Sequence, residues 1–305
     1  MHTVESGKRI TIANILFATD FSQCSNAAVP YALSAASRYG ATLHAAHILP
    51  TLTESVLMSP ESWPPPLNTE PEEQVKKDIE ELEMRLQGLP HQILTPRGEA
   101  ADVLAQIAHE HEMDLLVLGT HGRAGVGKFF HGSIAEEVLR HADCPVLSVG
   151  PHVLHPPDGE IHFQHILFAT DFSQHSLAAL PYALSFAEED EAQLALLHVI
   201  EQPAAGILDL EAVKASLIHR LHELIPADVE PWCRTECMLE FGRQFAPPAE
   251  RILEIAKEQA VDLIVLGVRP VHGKLGLTTH LASNTARILT EAACPVLTVR
   301  GEAAA

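Results

Sequence analysis

The sequence predicts an α/β protein built twice over: two tandem doubly wound domains, each around an open parallel sheet of five strands. Three observations predict it. The segment ILFATDFSQCSNAAVPYALS at 15–34 returns as ILFATDFSQHSLAALPYALS at 166–185, with seventeen of twenty positions identical at an offset of 151. Further on, DLLVLG at 114–119 recurs as DLIVLG at 262–267, and CPVLSV at 144–149 recurs as CPVLTV at 294–299, so order and spacing are kept. A repeat of this length is too long for a solenoid unit and suits a whole domain. Within each copy, short apolar runs bounded by turn residues alternate with longer segments of helical spacing, the pattern of a parallel sheet covered on both faces.

The elements of the first copy follow in order. ANILFA (13–18) is a continuous apolar run, as expected of a strand buried on both sides, and Ala27–Tyr39 reads as the first helix. TLHAAHIL (42–49) is the second strand, and Glu72–Leu86 is a helix with apolar residues at 75, 79, 82 and 86. HQILTP (91–96), the helix Ala101–His111, LLVLG (115–119), the helix Ser133–His141 and PVLSV (145–149) complete the domain. The first domain is expected over 1–150 and the second over 165–305. The stretch between them, about 151–164, is rich in Pro and Gly and reads as a linker.

Composition narrows the function. Forty acidic residues against twenty basic ones give a formal charge of −20, split −9 and −11 between the halves. Nucleic-acid binding and adhesion to an anionic membrane rest on basic faces, so both are disfavoured. No apolar run is long enough for a membrane span, and the N-terminus does not read as a secretory signal. Five cysteines, an odd number without an export signal, point away from a disulfide framework and toward a cytoplasmic, reduced protein.

In doubly wound sheets the ligand lies beyond the carboxyl ends of the strands, where strand order reverses. Strand one is followed by Asp20-Phe21-Ser22, repeated as Asp171-Phe172-Ser173. An acid here can accept hydrogen bonds from a ribose or another polyol; alternatively Asp20 or Ser22 simply caps the first helix. Strand four leads into GTHGRAGVGKFFHGS at 119–133, with glycines at 119, 122, 125, 127 and 132, then Ser133 and Ile134 where the last helix should begin. Glycines let backbone N–H groups approach an anion, and a helix start adds donors and positive dipole. No acid occurs between Asp114 and Glu136, whereas Arg123 and Lys128 do, so a polyphosphate would find this loop hospitable in an otherwise acidic chain. The run Gly122-x4-Gly127-Lys128 imitates a P-loop, but Phe129 stands where a P-loop needs Ser or Thr, and the loop follows a late strand.

Asp20 together with Gly119-x2-Gly122-x9-Gly132-Ser133 and the Cys-Pro-Val-Leu opening of the last strand resembles the nucleotide signature of the universal stress protein family. The resemblance covers almost all of both halves. It implies an adenine nucleotide alpha hydrolase-like, Rossmann-like fold with strand order 3-2-1-4-5. It also implies that the carboxylate of Asp20 contacts adenosine and that the backbone at Ile48, following His47, meets adenine. By the same resemblance Gly119, Gly122, Gly132 and Ser133 surround the phosphates of ATP, held with or without Mg2+, and Arg123 and Ile134 belong to the same stretch. The second copy keeps Asp171, Val199, Gly267 and Ser283, but Pro270 replaces Gly122 and Ala282 replaces Gly132. Proline lacks an N–H to face phosphate and alanine adds a methyl group, so this half is the weaker nucleotide site. Its acid-free stretch 263–290, with Arg269, Lys274 and Arg287, leaves room for another anion.

The resemblance implies an ATP-binding stress-response regulator or adaptor, with the halves packed as a pseudo-two-fold pair through their last strands and with homodimerisation of the whole chain as a further expectation. Two other readings stand beside it. One is a slow ATPase or phosphotransferase, for which no convincing base is visible beyond His121 and His131. The other gives the second half an anionic or lipid-like ligand. Of the nineteen histidines, His219 and His222 near Cys233 and Cys237 make the best metal cluster, yet CxxC and HExxH patterns are missing. His47 and His198 read as packed side chains beside the cleft, and Cys144 and Cys294 as buried, inert thiols. The proline-rich stretch Met58–Pro71, with Trp63, reads as a loop over one sheet edge.

Overall fold

The computed structural model describes residues 10–50, 72–120, 134–153, 161–201, 210–227, 229, 233–242, 246–269 and 283–301. The proline-rich stretch around Trp63 lies outside them, as do His121 and His131. In the first half the order is β1 (Asn14–Ala18), α1 (Gln23–Tyr39), β2 (Thr42–Ala46), α2 (Glu72–Leu86), β3 (His91–Leu94), α3 (Ala100–Glu110), β4 (Leu115–Gly119), α4 (Ile134–His141) and β5 (Val146–Val149). The second half continues with β6 (His165–Ala169), α5 (Gln174–Leu177), α6 (Leu180–Asp190), β7 (Gln193–Ile200), α7 (Leu210–Glu223), β8 (Thr235–Phe241), α8 (Pro248–Glu258), β9 (Leu263–Val268), α9 (Ser283–Glu291) and β10 (Val296–Arg300).

Strand order in the first half is β3-β2-β1-β4-β5, the predicted one, and the second half repeats it as β8-β7-β6-β9-β10. Pairing within each half is parallel. The expected pair of five-stranded sheets is continuous: β5 and β10 pair antiparallel, Leu147 opposite Leu297, giving one sheet of ten strands. Each of these last strands would otherwise end its sheet with an unpaired apolar edge, and pairing removes both edges.

Successive strand residues face opposite sides, and both sides are buried. Ile15, Phe17, Leu115, Val117, Ile166 and Phe168 point into one core, shared with α1, α2, α6 and α7. Leu16, Leu116, Leu118, Leu167 and Ile264 point into the other, shared with α3, α4, α8 and α9. The continuous apolar runs of the sequence are this two-sided burial written along the chain. Asp114 and Asp262, the acids opening the repeated DLLVLG and DLIVLG, accept hydrogen bonds from Ala13 and Asn14 N–H (2.7 and 2.9 Å) and from Gln164 and His165 N–H (2.8 and 3.1 Å). They tie the start of strand four to the start of strand one in each half.

Several boundaries shift by one or two residues, and three differ more from the sequence reading. Helix α1 begins at Gln23, a turn early, because Ser22 caps it and accepts a hydrogen bond from Ser25 N–H; the polar QCSN turn carries no amphipathic signal. Strand β2 stops at Ala46, where the β1 side gives its last bond, Thr19 N–H to the Ala46 carbonyl, and then turns away. The first helix of the second half is split into α5 and α6, with Pro181 in the opening turn of α6, where its missing N–H costs nothing. In the first half the helix runs on through Pro30.

The halves also meet through side chains. Arg38 on α1 binds Asp190 at the end of α6 at 2.6 Å and donates to the Ile161 carbonyl. The Asp190 side chain is wholly buried and also accepts from Phe163 N–H at 3.1 Å. Ser34 bonds both the N–H (3.1 Å) and the carbonyl (2.9 Å) of Ile161.

His44 on β2 is buried with its ring 5.9 Å from that of His111. Burial, and secondarily the neighbouring His111, hold its pKa below the ordinary 6.5 despite an opposing hydrogen bond with Gln92. The unfolded chain therefore takes up a proton below about pH 6.5 that the folded protein refuses, so stability falls as pH drops through that value and continues falling toward the lower folded pKa. Urea midpoints at pH 7.5 and 5.5 are expected to fall further apart in the wild type than in His44→Phe. Equal losses would show that His44 does not contribute.

Candidate functional site

Both copies build the same turn beyond strand one. Phe21 takes a left-handed backbone, φ 57°, and Phe172 does so at φ 60°. Such a conformation costs a bulky residue on the order of 1–3 kcal/mol and persists only where its surroundings enforce it. Here Phe21 N–H donates to Thr19 Oγ1 (3.0 Å), and Ser22 N–H donates to Asp20 Oδ1 (3.0 Å). The Phe21 ring lies 4.6 Å from that of His47, whose Nδ1 is 2.9 Å from the Thr19 carbonyl. In the second copy Phe172 N–H meets Thr170 Oγ1 at 2.9 Å and Ser173 N–H meets Asp171 Oδ1 at 2.9 Å. His198 lies 2.8 Å from the Thr170 carbonyl, with its ring 4.6 Å from Phe172. The carboxylate therefore braces the turn, while Ser22 and Ser173 cap the helices. His47 and His198 hold the aromatic side chain in place.

The glycine closing strand four has an equally local reason. A Cβ at Gly119 would lie 2.6 Å from the carbonyl carbon and oxygen of Cys24 and 2.8 Å from Ser25 N. At Gly267 it would overlap the carbonyl oxygen of His175. In both halves the first turn of the helix after strand one sits directly on the end of strand four, and only glycine permits that approach.

A cavity of about 790 Å³ opens at the carboxyl ends of β6, β7 and β9. It brings Asp171, Val199, Gly267 and Arg269 together with Asn284 and Thr285, the two residues after Ser283. Ser283 itself opens α9. Arg269 lies 3.8 Å from Asp171. Burial raises the Asp171 pKa, but hydrogen bonds from Ser173 and Ser176 and the charge of Arg269 outweigh it and hold the carboxyl below the usual carboxylate value.

The first half has the same register. Ala18 pairs with Ala46 and Leu118 as Ala169 pairs with Leu197 and Leu266. Asp20, Ile48 and Gly119 thus stand where Asp171, Val199 and Gly267 stand. Ile48 is half-buried, and Ile134, the first residue of α4, is 51% exposed, unusual for so large an apolar side chain. Gly122, Arg123, Gly132 and Ser133 lie outside the described residues.

Two residues that sequence reasoning passed over belong to the cleft of the second half. Leu139 and Arg140 line it, yet they come from α4 of the first half. No spacing signal announces a contact between halves. Elsewhere, burial lifts the thiols of Cys144 and Cys294 to about 12, which makes them poor nucleophiles at neutral pH. Among the described residues no group of three or more metal-ligating side chains gathers; Cys233 instead donates to the Ala192 carbonyl at 3.2 Å, and His219 lies 3.5 Å from Glu223. No described helix is long and apolar enough to cross a membrane.

A twice-wound α/β chain with a cleft beyond its strand ends belongs to the class of doubly wound α/β folds, in which ligand sites lie at that end of the sheet. More narrowly, it belongs to the universal stress protein family, whose model matches residues 11–150 and again 162–300, making it a tandem member. A universal stress protein of Thermus aquaticus is 34% identical over 143 residues, 45% of this chain and 99% of its own. One from Mycobacterium bovis is 26% identical over 202 residues, 65% of this chain and 64% of its own. The crystal structure of a universal stress protein from Archaeoglobus fulgidus shares the fold, with a TM-score of 0.65 at 18% identity over 94% of this chain and 96% of that one.

Proposed function

We propose that the chain is an ATP-binding regulatory protein of the stress response, with the nucleotide held by its first half. The observation that carries this reading is the braced turn at Asp20 in register with Gly119, immediately ahead of the acid-free, glycine-rich stretch 119–133. In this reading Asp20 faces the ribose and the backbone at Ile48 faces adenine. Gly122, Gly132 and Ser133 offer N–H groups and a helix start to the phosphates, with Arg123 and Gly119 alongside, and the exposed Ile134 gains cover. Ser133 is the residue to reach a Mg2+ carried in by the phosphates.

The domains divide at 1–150 and 165–305 about the linker 151–164. The two halves work as a pseudo-two-fold pair in the cytoplasm, with binding changing the surface offered to partners or to a second copy of the chain. Calorimetric titration with ATP is expected to find one strong site per chain. Gly122→Pro removes an N–H that faces phosphate and should weaken binding about 10- to 100-fold, the usual worth of a hydrogen bond to a charged group. Asp20→Asn keeps an acceptor for Ser22 N–H while losing the charge, and should weaken binding less. Undiminished affinity in both variants would place the nucleotide elsewhere.

A further inference from the structure

The cleft of the second half is not built by that half alone. Arg140, from the last turn of α4 in the first half, forms part of its wall beside Leu139. Counting back from the shared Cys-Pro, Arg140 corresponds to Thr290 and Glu136 to Ala286. The arginine therefore exists in one copy only. The cleft that lost the glycine-rich phosphate loop to Pro270 and Ala282 has an arginine from across the junction, and the second copy carries threonine, Thr290, at that arginine's place.

The Arg140 guanidinium has donors to spare. One Nη binds Glu136 at 2.6 Å, with the glutamate side chain only 5% exposed, while Nε is buried without a hydrogen-bond partner among the described residues. The carboxylates near the cleft are already met, Glu136 by Arg140 and Asp171 by Ser173 N–H and Arg269; Glu201 is exposed. Asn284 and Thr285, in the first turn of α9, place the positive end of that helix on the same cavity. Leu197, Val199, Ile252 and Ile288 form an apolar wall, while Thr170, Ser173, Ser176 and the two histidines His175 and His198 make the floor near strand β6 polar.

We infer that this composite cleft binds a small amphipathic anion, an apolar body carrying one carboxylate, sulfonate or phosphate group, and that Arg140 of the first half holds the anionic group. The inference is independent of ATP binding in the first half. An arginine fork suits an oxyanion, the apolar wall suits a hydrocarbon or ring, and about 790 Å³ falls within the range of small-molecule sites, roughly 300–1,000 Å³.

The test uses the full chain and two fluorescent probes: 1-anilinonaphthalene-8-sulfonate, which has an apolar body and one anionic group, and the uncharged N-phenyl-1-naphthylamine. The wild type is expected to bind both, the anion more tightly. Arg140→Gln should weaken the anionic probe about tenfold or more, the value of a charge-assisted hydrogen bond, while leaving the neutral probe within about twofold. That variant strands the buried Glu136, so Glu136→Gln with Arg140→Gln provides a neutral pair of similar shape. Its thermal melt reports folding, and the same selective loss is expected. Val199→Trp should exclude both probes by filling the cleft. Decanoate should displace the sulfonate probe where inorganic phosphate at equal concentration does not. Unchanged affinity for the anionic probe in the double variant, equal losses of both probes, persistence of binding in Val199→Trp, or equal displacement by phosphate would each overturn the inference.

Discussion

Asp190→Ala is expected to destabilise the protein by about 3–5 kcal/mol, the usual cost of removing one partner from a buried ion pair. The aspartate side chain is wholly buried, and that of Arg38, its partner at 2.6 Å, is 11% exposed. Alanine leaves that guanidinium beside the Ile161 carbonyl with its counter-charge gone, and Phe163 N–H without its acceptor. Because α1 belongs to one half and α6 to the other, the loss falls on their junction, and urea unfolding should show the halves separating before either melts. Arg38→Met with Asp190→Leu removes both charges and should recover most of the stability, since a buried pair replaced by apolar groups of similar size is often neutral. If Asp190→Ala stays within about 0.5 kcal/mol of the wild type, the scale of an ordinary surface change, the pair does not hold the halves together.

Gly267→Ala and Gly119→Ala are expected to cost about 1–3 kcal/mol each, the range for forcing atoms into a packed site, with Gly267→Ala the worse. In each case the new methyl group meets the backbone of a helix's first turn, which cannot swing aside as a side chain would. The clash at Gly267 is with a carbonyl oxygen and is closer than the one at Gly119. Thermal unfolding of both variants without any ligand checks this. A glycine kept only for contact with phosphate would leave the ligand-free melting temperature unchanged, so an unaltered melt would return these positions to the ligand.

Much of this was legible in the chain. Repetition of ILFATDFSQ and of DLLVLG reveals two copies, and two-sided apolar runs reveal parallel strands, because burial on both faces leaves no alternation to read. The motif after strand one is legible from its position, but its internal logic is not. Asp20 accepts from Ser22 N–H, and Thr19 and His47, ordinary residues in one dimension, fix the strained Phe21. Residues whose partners lie in the other half were invisible for a plainer reason. Arg140 looks like any basic residue in a last helical turn, and nothing in local spacing says that this turn ends at another domain's cleft. The split between α5 and α6 was likewise hidden, since both copies carry the same Pro-Tyr-Ala-Leu-Ser and differ only in how the helix meets it.

The contact between Arg38 and Asp190 also bears on what tethering two domains allows. At the repeat offset, Arg38 matches Glu189 and Tyr39 matches Asp190, so the ion pair has no mirror image across the junction. Two copies of the first half in this arrangement would set arginine against tyrosine, and two copies of the second would set glutamate against aspartate. A symmetric dimer must accept every substitution twice, once on each side of its axis. A fused pair accepts it once. Each half is thereby released from being its own best partner, and the junction can specialise as a lock between unlike surfaces.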